Sequence, residues 1–296
     1  MKYTNILPSY FLAASLVMLG TACSQENCPE SENNTGNLHP VTFSVAMGRN
    51  TADSRTQLDE DGRTIWTEGD NIQVKIGQAT NLYKISLGES STRIVPSNQE
   101  STFYWEYIGQ QKNVTAWHPS QLMAAEDGKG FYDQRSSEKF LNADLLKAEE
   151  TLTFSFNFDQ TLLFYHQLTK LSVQLVNPGH QITDVKLVTL CPEMDENGNA
   201  ILDGKIIAST TQDAQLKHIS PYQDEKQPDT YYALVVPGTM TSQSPLVIVT
   251  IKGQESDHTV YFKLNYNLNL EAGCNYQYTL HLPSELVNPT EEVVIE

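Results

Sequence analysis

Beyond residue 40 the chain alternates apolar and polar positions with a period of two, the pattern of strands that bury one face. In VTFSVAM, Val41, Phe43, Val45 and Met47 fall on one side of an extended segment. The same alternation predicts strands at NIQVKI (71–76), LYKISL (82–87), STFYWEYI (101–108), NVTAW (113–117) and LTFSFNF (152–158). It continues at TKLSVQLV (169–176), DVKLVTL (184–190), AILDGKII (200–207), TYYALVVP (230–237), LVIVTIKG (246–253), TVYFKLNY (259–266) and YQYTLHL (276–282). Turn residues separate the runs, as in ENGN (Glu196 to Asn199), NPG (Asn177 to Gly179) and EAG (Glu271 to Gly273). About a dozen short strands with at most a helical turn near ADLLKAEE (143–150) define an all-β chain. A single sandwich uses only about seven to nine. Two tandem sandwiches are therefore expected, 41–149 and 150–296, divided at the helix-compatible stretch Ser136 to Glu150.

The first residues break the alternation. Lys2, an apolar run from Ile6 to Leu19 and small residues before Cys23 form an export signal over 1–22, too short to span a bilayer. LGTAC resembles the lipobox of bacterial lipoproteins, in which the cysteine becomes a lipidated N-terminus. Here Gly20 stands where that motif usually has leucine, with Leu19 one place earlier. An ordinary secretory signal cut nearby is the alternative. Residues 23–40, polar and rich in Asn, Ser and Glu, read as a flexible tether.

Composition then narrows the partners. The 19 Lys and Arg against 36 Asp and Glu give a net charge of −17 with no basic stripe, which excludes nucleic acid as a partner because phosphate binding needs clustered cations. Cys28, Cys191 and Cys274 show no metal or disulfide framework. A bridge between Cys191 and Cys274 is possible in an oxidising compartment, and buried free thiols are the favoured alternative.

No nucleophile elbow, zinc-protease helix, phosphate loop or dinucleotide fingerprint is present, so no enzyme activity and no cofactor or metal is expected. His118 and His166 lie in or beside apolar strands, where a hydrogen-bonded structural imidazole is the favoured reading. DENGN (Asp195 to Asn199) lacks the sixth-position glycine of a calcium loop and has Ile206 in place of its closing glutamate, so it reads as a hairpin turn. Trp66, Trp105 and Trp117 are the candidates for a sugar-stacking platform, which requires at least two exposed rings. The turn WTEGD places Trp66 on the buried side of a corner and Asp70 against local amides.

Seven elements in order carry a resemblance. They are Cys23; VTFSVAM followed by Arg55; Trp66, Gly69, Asp70, Ile72 and Val74; NVTAWHP ending at Pro119; His166, Leu168, Lys170 and Leu171; YYALVVP ending at Pro237; and Leu270, Ala272, Gly273, Tyr276 and Tyr278. From Cys23 to about Leu282 the chain resembles the fimbrillins, the pilin superfamily that builds type V pili. The resemblance implies two transthyretin-like β-sandwich domains in tandem and export as a lipoprotein to the outer membrane surface. It further implies release of the first strand by an arginine-specific protease and donor-strand exchange with other pilin subunits, in support of adhesion and biofilm growth. Val41, Phe43, Val45 and Met47 then belong to the removable strand, with a permanent edge strand as the alternative. Arg55 is the cleavage site and Arg49 the runner-up. The tail offers only Glu292 to Glu296 as a donor, leaving stalk, anchor, accessory and tip roles open. An outer-membrane glycan-binding lipoprotein using exposed tryptophans is the competing function.

Overall fold

The computed structural model describes residues 38–48, 66–89, 91–119, 130–156, 160–196, 200, 203–210 and 216–295. Strands dominate, as the alternation requires. The first group comprises β1 (His39–Pro40), β2 (Phe43–Met47), β3 (Asn71–Ile76), β4 (Ala79–Leu87), β5 (Thr92–Pro96), β6 (Tyr104–Trp105), β7 (Gln111–His118), β8 (Leu146–Thr153) and β9 (Thr161–His166). Seven of them close a barrel in the order β2-β5-β4-β3-β7-β8-β9, while β1 and β6 form a separate two-stranded ribbon. Where two open sheets are expected, closure of a single sheet removes the edges. The seam is β2, antiparallel to β5 and parallel to β9. The inward rows, including Ile72 and Val74 of β3, Ile85 of β4, Ile94 of β5 and Val114 and Ala116 of β7, fill the barrel.

The second group comprises β10 (Thr169–Val176), β11 (Ile182–Thr189), β12 (Lys217–Ile219), β13 (Tyr222–Gln223), β14 (Thr230–Val235), β15 (Gly238–Met240), β16 (Pro245–Ile251), β17 (His258–Leu264), β18 (Leu268–Leu270), β19 (Asn275–His281) and β20 (Thr290–Ile295). They form a four-stranded sheet β13-β14-β10-β19, a five-stranded sheet β12-β11-β16-β17-β20 and a ribbon β15-β18. Leu171, Val173 and Leu175 from the first sheet and Val185, Val247, Val249 and Phe262 from the second share one buried cluster, so the two sheets form a sandwich.

Three expectations shift. The helix α1 covers Ser137–Asn142, with Ser136 Oγ accepting from the Lys139 amide at 3.2 Å, while most of ADLLKAEE lies in β8. Residues with good helix propensity become strand because β8 pairs with β7 over eight positions, from Gln111 opposite Thr153 to His118 opposite Leu146. Leu146, Ala148 and Leu152 are buried in the barrel as a result, and tertiary pairing overrides propensity. The change from barrel to sandwich falls at Gln167 and Leu168, between β9 and β10, and Glu150 lies inside β8. AILDGKII also departs from its reading: Asp203 and Gly204 occupy a turn, and Ala208 makes only an isolated bridge with Pro192.

Barrel and sandwich join through that turn, and Leu38–Glu296 form one compact unit. Trp117 projects from β7 into the sandwich cluster, and Lys75 of β3 reaches Asp203 with 2.6 Å between Nζ and Oδ2. Gly204 has φ of +74°, and a Cβ there would lie 2.6 Å from the Trp117 Cβ. Gly204→Ala is expected to lower stability by about 1–3 kcal/mol in urea denaturation, through overpacking and left-handed strain together. An unchanged midpoint would show that the join does not depend on this close approach.

Candidate functional site

The segment from Val41 to Met47, which contains β2, is the candidate site, and its chemistry is that of strand pairing. In β2, Phe43 lies opposite Ile94 and Ser44 opposite Arg93 of β5; on the other side, residues from Ser44 to Met47 face those from Thr161 to Phe164 of β9. Flanking bonds extend the match: the Val41 amide donates to the Phe103 carbonyl at 2.8 Å, the Ser44 amide to Gln160 at 2.7 Å and the Gly48 amide to Phe164 at 2.8 Å. Val41 and Phe43 are fully buried, and Val45 and Met47 are half-buried against the same core. The expected face is therefore the inward one. In this fold β2 is hydrogen-bonded on both sides, at Phe43 and Ser44 towards β5 and from Ser44 to Met47 towards β9.

Around this seam the barrel wall is aromatic. The Phe43 ring lies 6.2 Å from Tyr83, and Tyr83 Oη accepts a hydrogen bond from the Phe103 amide at 3.1 Å. Burial pushes the Tyr83 phenol up to about 12, so it remains a neutral hydroxyl. Trp66 packs edge-on against Phe164 at 5.3 Å. Its turn follows the sequence reading: Asp70 Oδ2 accepts from the Thr67 amide at 2.8 Å, and Gly69 between them takes φ of +88°. That turn docks on β4, where the Gly69 amide donates to the Ile85 carbonyl at 3.0 Å. WTEGD is therefore a corner of the fold.

The three tryptophans remove the competing site. Trp66, Trp105 and Trp117 are only 8, 2 and 8% exposed, so none offers a sugar-stacking face. Trp105 stacks on Phe154 at 5.5 Å with an interplanar angle of 3°. His118 Nδ1 is 2.8 Å from the Asn71 carbonyl and His166 Nδ1 is 2.9 Å from Asp144 Oδ1, so both imidazoles are held within the fold. Cys191 and Cys274 are free and half-buried. Burial pushes the Cys274 thiol up, and the nearby Glu271 carboxylate adds to that shift. Cys23, Arg49, Arg55, Cys28 and Asn197 to Asn199 lie outside the described residues.

Sequence reasoning undervalued the tail. The strand β20 begins at Thr290, and Thr290 to Ile295 pair in parallel with Thr259 to Leu264 of β17 at the edge of the five-stranded sheet. Ile295 is buried and Val293 packs on the sandwich core. The two glutamates at 291 and 292 mask this signal: Glu292 faces outward and pairs with Lys263, whereas Glu291 shares the side of Val293 and Ile295 and accepts from the Val287 and Asn288 amides.

An all-β chain whose most distinctive feature is a short strand closing a barrel fits a structural, assembling protein. The fimbrillin-like family model matches residues 53–296, and the chain belongs to that family. Membership places it among fimbrial and adhesion proteins of the cell surface and implies assembly with other pilin subunits. A protein of Bacteroides ovatus assigned to cell adhesion is similar in fold: TM-score 0.53, 14% identity, 83% of this chain and 93% of the other. A cell-adhesion protein of Bacteroides uniformis matches with TM-score 0.48 and 15% identity over 82% and 92% of the two chains. A fimbrial assembly protein of Parabacteroides distasonis matches with TM-score 0.38 and 10% identity over 82% and 92%. No curated protein sequence matches the chain.

Proposed function

We propose that the chain is a non-enzymatic pilus subunit, built as two tandem transthyretin-like domains, that assembles by losing its first strand and accepting a donor strand from another subunit. Export as a lipoprotein through Cys23 anchors it at the outer membrane, an arginine-specific protease cuts at Arg55, and the assembled fibre supports adhesion and biofilm growth. The observation that carries this reading is the double pairing of β2 between β5 and β9. Taking that strand away leaves two unpaired edges and an apolar groove, the two requirements of strand addition. Refilling the places of Val41 and Phe43 contributes roughly 1.5–3 kcal/mol for each buried side chain, before backbone pairing is counted.

The donor of suitable form within this chain is β20. It is an edge strand whose alternate residues turn inward, and it can add to another sheet without breaking a central pairing. The exchange is therefore between like elements, an edge strand of one subunit and the vacated seam of the next.

N-terminal sequencing of the surface-extracted protein, joined to electron microscopy with a specific antibody, tests the reading. The expected result is filaments whose subunits begin at Thr56, with Asn50 as the start if Arg49 is cut instead. Filaments that retain Val41 to Met47 would rule out strand release. Limited digestion of the purified chain with an arginine-specific protease should give one early cut, after Arg55 or after Arg49.

A further inference from the structure

The outer face of the sheet β13-β14-β10-β19 holds a trough of about 740 Å³, within the usual size range of small-molecule sites. Two cross-strand rows form its floor. Tyr232, Ser172 and Gln277 lie side by side in register, and Thr230, Gln174 and Thr279 form the next row. One wall is the loop from Lys226 to Asp229. That loop is pinned: Tyr232 Oη donates to Gln227 Oε1 at 2.7 Å, the Thr230 amide to the Gln227 carbonyl at 2.9 Å and the Leu175 amide to the Asp229 carbonyl at 2.8 Å.

The floor is chemically unusual for this chain. In a protein of net charge −17, the two rows hold only amides and hydroxyls. The side chains of Gln174 and Gln277 hydrogen-bond to no described residue. Ser172 is buried, and its Oγ donates to Asn275 Oδ1 at 2.9 Å, fixing that amide so that its Nδ2 remains a donor. The Lys170 ammonium at one end lies 5.0 Å from the Tyr232 ring centroid.

A carboxamide can donate and accept at once, which matches adjacent hydroxyls of a sugar ring. The lining carries Lys170 and Lys226 together with Asp229 but no arginine fork for an anionic ligand, and a peptide strand would call for unpaired backbone, whereas this floor presents side chains. We propose that the trough binds a neutral oligosaccharide, whose hydroxyls pair with Gln174, Asn275 and Gln277. The site lies on a different sheet from β2, so binding does not depend on assembly and can be read on the unpolymerised subunit.

The test presents the full chain to immobilised neutral oligosaccharides of hexose and N-acetylhexosamine, alongside sulfated and uronic-acid saccharides and unstructured peptides. Titration calorimetry then measures the retained sugars. Binding to neutral sugars, weakened roughly tenfold by Gln174→Ala and again by Gln277→Ala, supports the proposal. Both glutamines are exposed, so neither variant should shift the melting temperature. Retention of no neutral sugar overturns the proposal. So does capture only of acidic saccharides or only of peptides, or affinity that is unchanged in the double variant.

Discussion

Phe43→Ala will lower the stability of the uncleaved chain by about 3–5 kcal/mol, measured as a drop in the urea midpoint at unchanged slope. Phe43 has no exposed surface, and its ring fills the barrel beside Tyr83. Truncation removes both the transfer energy of the ring and the contacts around it, and a closed barrel cannot collapse freely onto the cavity. Val45→Ala, half-buried on the same strand, will cost only about 1 kcal/mol. Since whole domains have only about 5–15 kcal/mol of stability, the first change takes a large share of it. The consequence for assembly is direct. After cleavage the strand is held by pairing and burial alone, so in size-exclusion chromatography the wild-type strand will stay with the cut protein longer than the Phe43→Ala strand. A Phe43→Ala loss below about 1 kcal/mol would mean that β2 lies on the core without being part of it, and a groove built around its side chains would lose its basis.

The all-β architecture could be read from the chain where burial is one-sided. NIQVKI and TKLSVQLV coincide with β3 and β10, because Ile72, Val74, Leu171, Val173 and Leu175 alternate with polar neighbours that face outward. The pattern failed where that condition fails. The strand β5 has Arg93 beside Ile94, Val95 and Pro96, and β9 carries the continuous run Leu162, Leu163, Phe164 and Tyr165, so neither shows a clean period of two. STFYWEYI alternates well yet contributes only Tyr104–Trp105, since the chain then turns to bring Gly109 back onto the Phe154 carbonyl. The face of the first strand was legible from four residues. Its double pairing was not, because the partners Arg93 and Ile94 on one side and Thr161 to Phe164 on the other lie far along the chain. The tryptophans show the same limit: composition names the rings, and only packing decides that all three are buried.

The largest pH-dependent effect is expected at the buried pair of Asp144 and His166. His166 ends β9, the strand that borders the β2 seam, and Asp144 precedes β8, so the pair ties two neighbouring barrel strands at their common end. Burial of the imidazole by itself pulls its pKa down, but the Asp144 charge and hydrogen bond more than reverse this, against a smaller opposing contribution from Lys170. The folded-state pKa is therefore raised above the ordinary value of 6.5. A raised value means that the folded state binds the proton more tightly than the unfolded chain. The pair's contribution is thus fully present below about pH 6.5 and is lost as pH rises through the folded pKa. Asp144→Ala should destabilise the chain by about 3–5 kcal/mol below about pH 6, since it strands a buried imidazolium or forces it to deprotonate. The difference from wild type should narrow steadily as both proteins are melted at increasing pH and the wild-type imidazole gives up its proton. Asp144→Asn, which keeps a hydrogen-bond acceptor but removes the charge, should recover part of the loss at high pH and little at low pH. A gap that stays constant across the whole range would show that the carboxylate acts only as a packing and hydrogen-bonding group. The end of β9 would then respond to pH no differently from the rest of the barrel, and acid would have no selective hold on the strand that lines the groove.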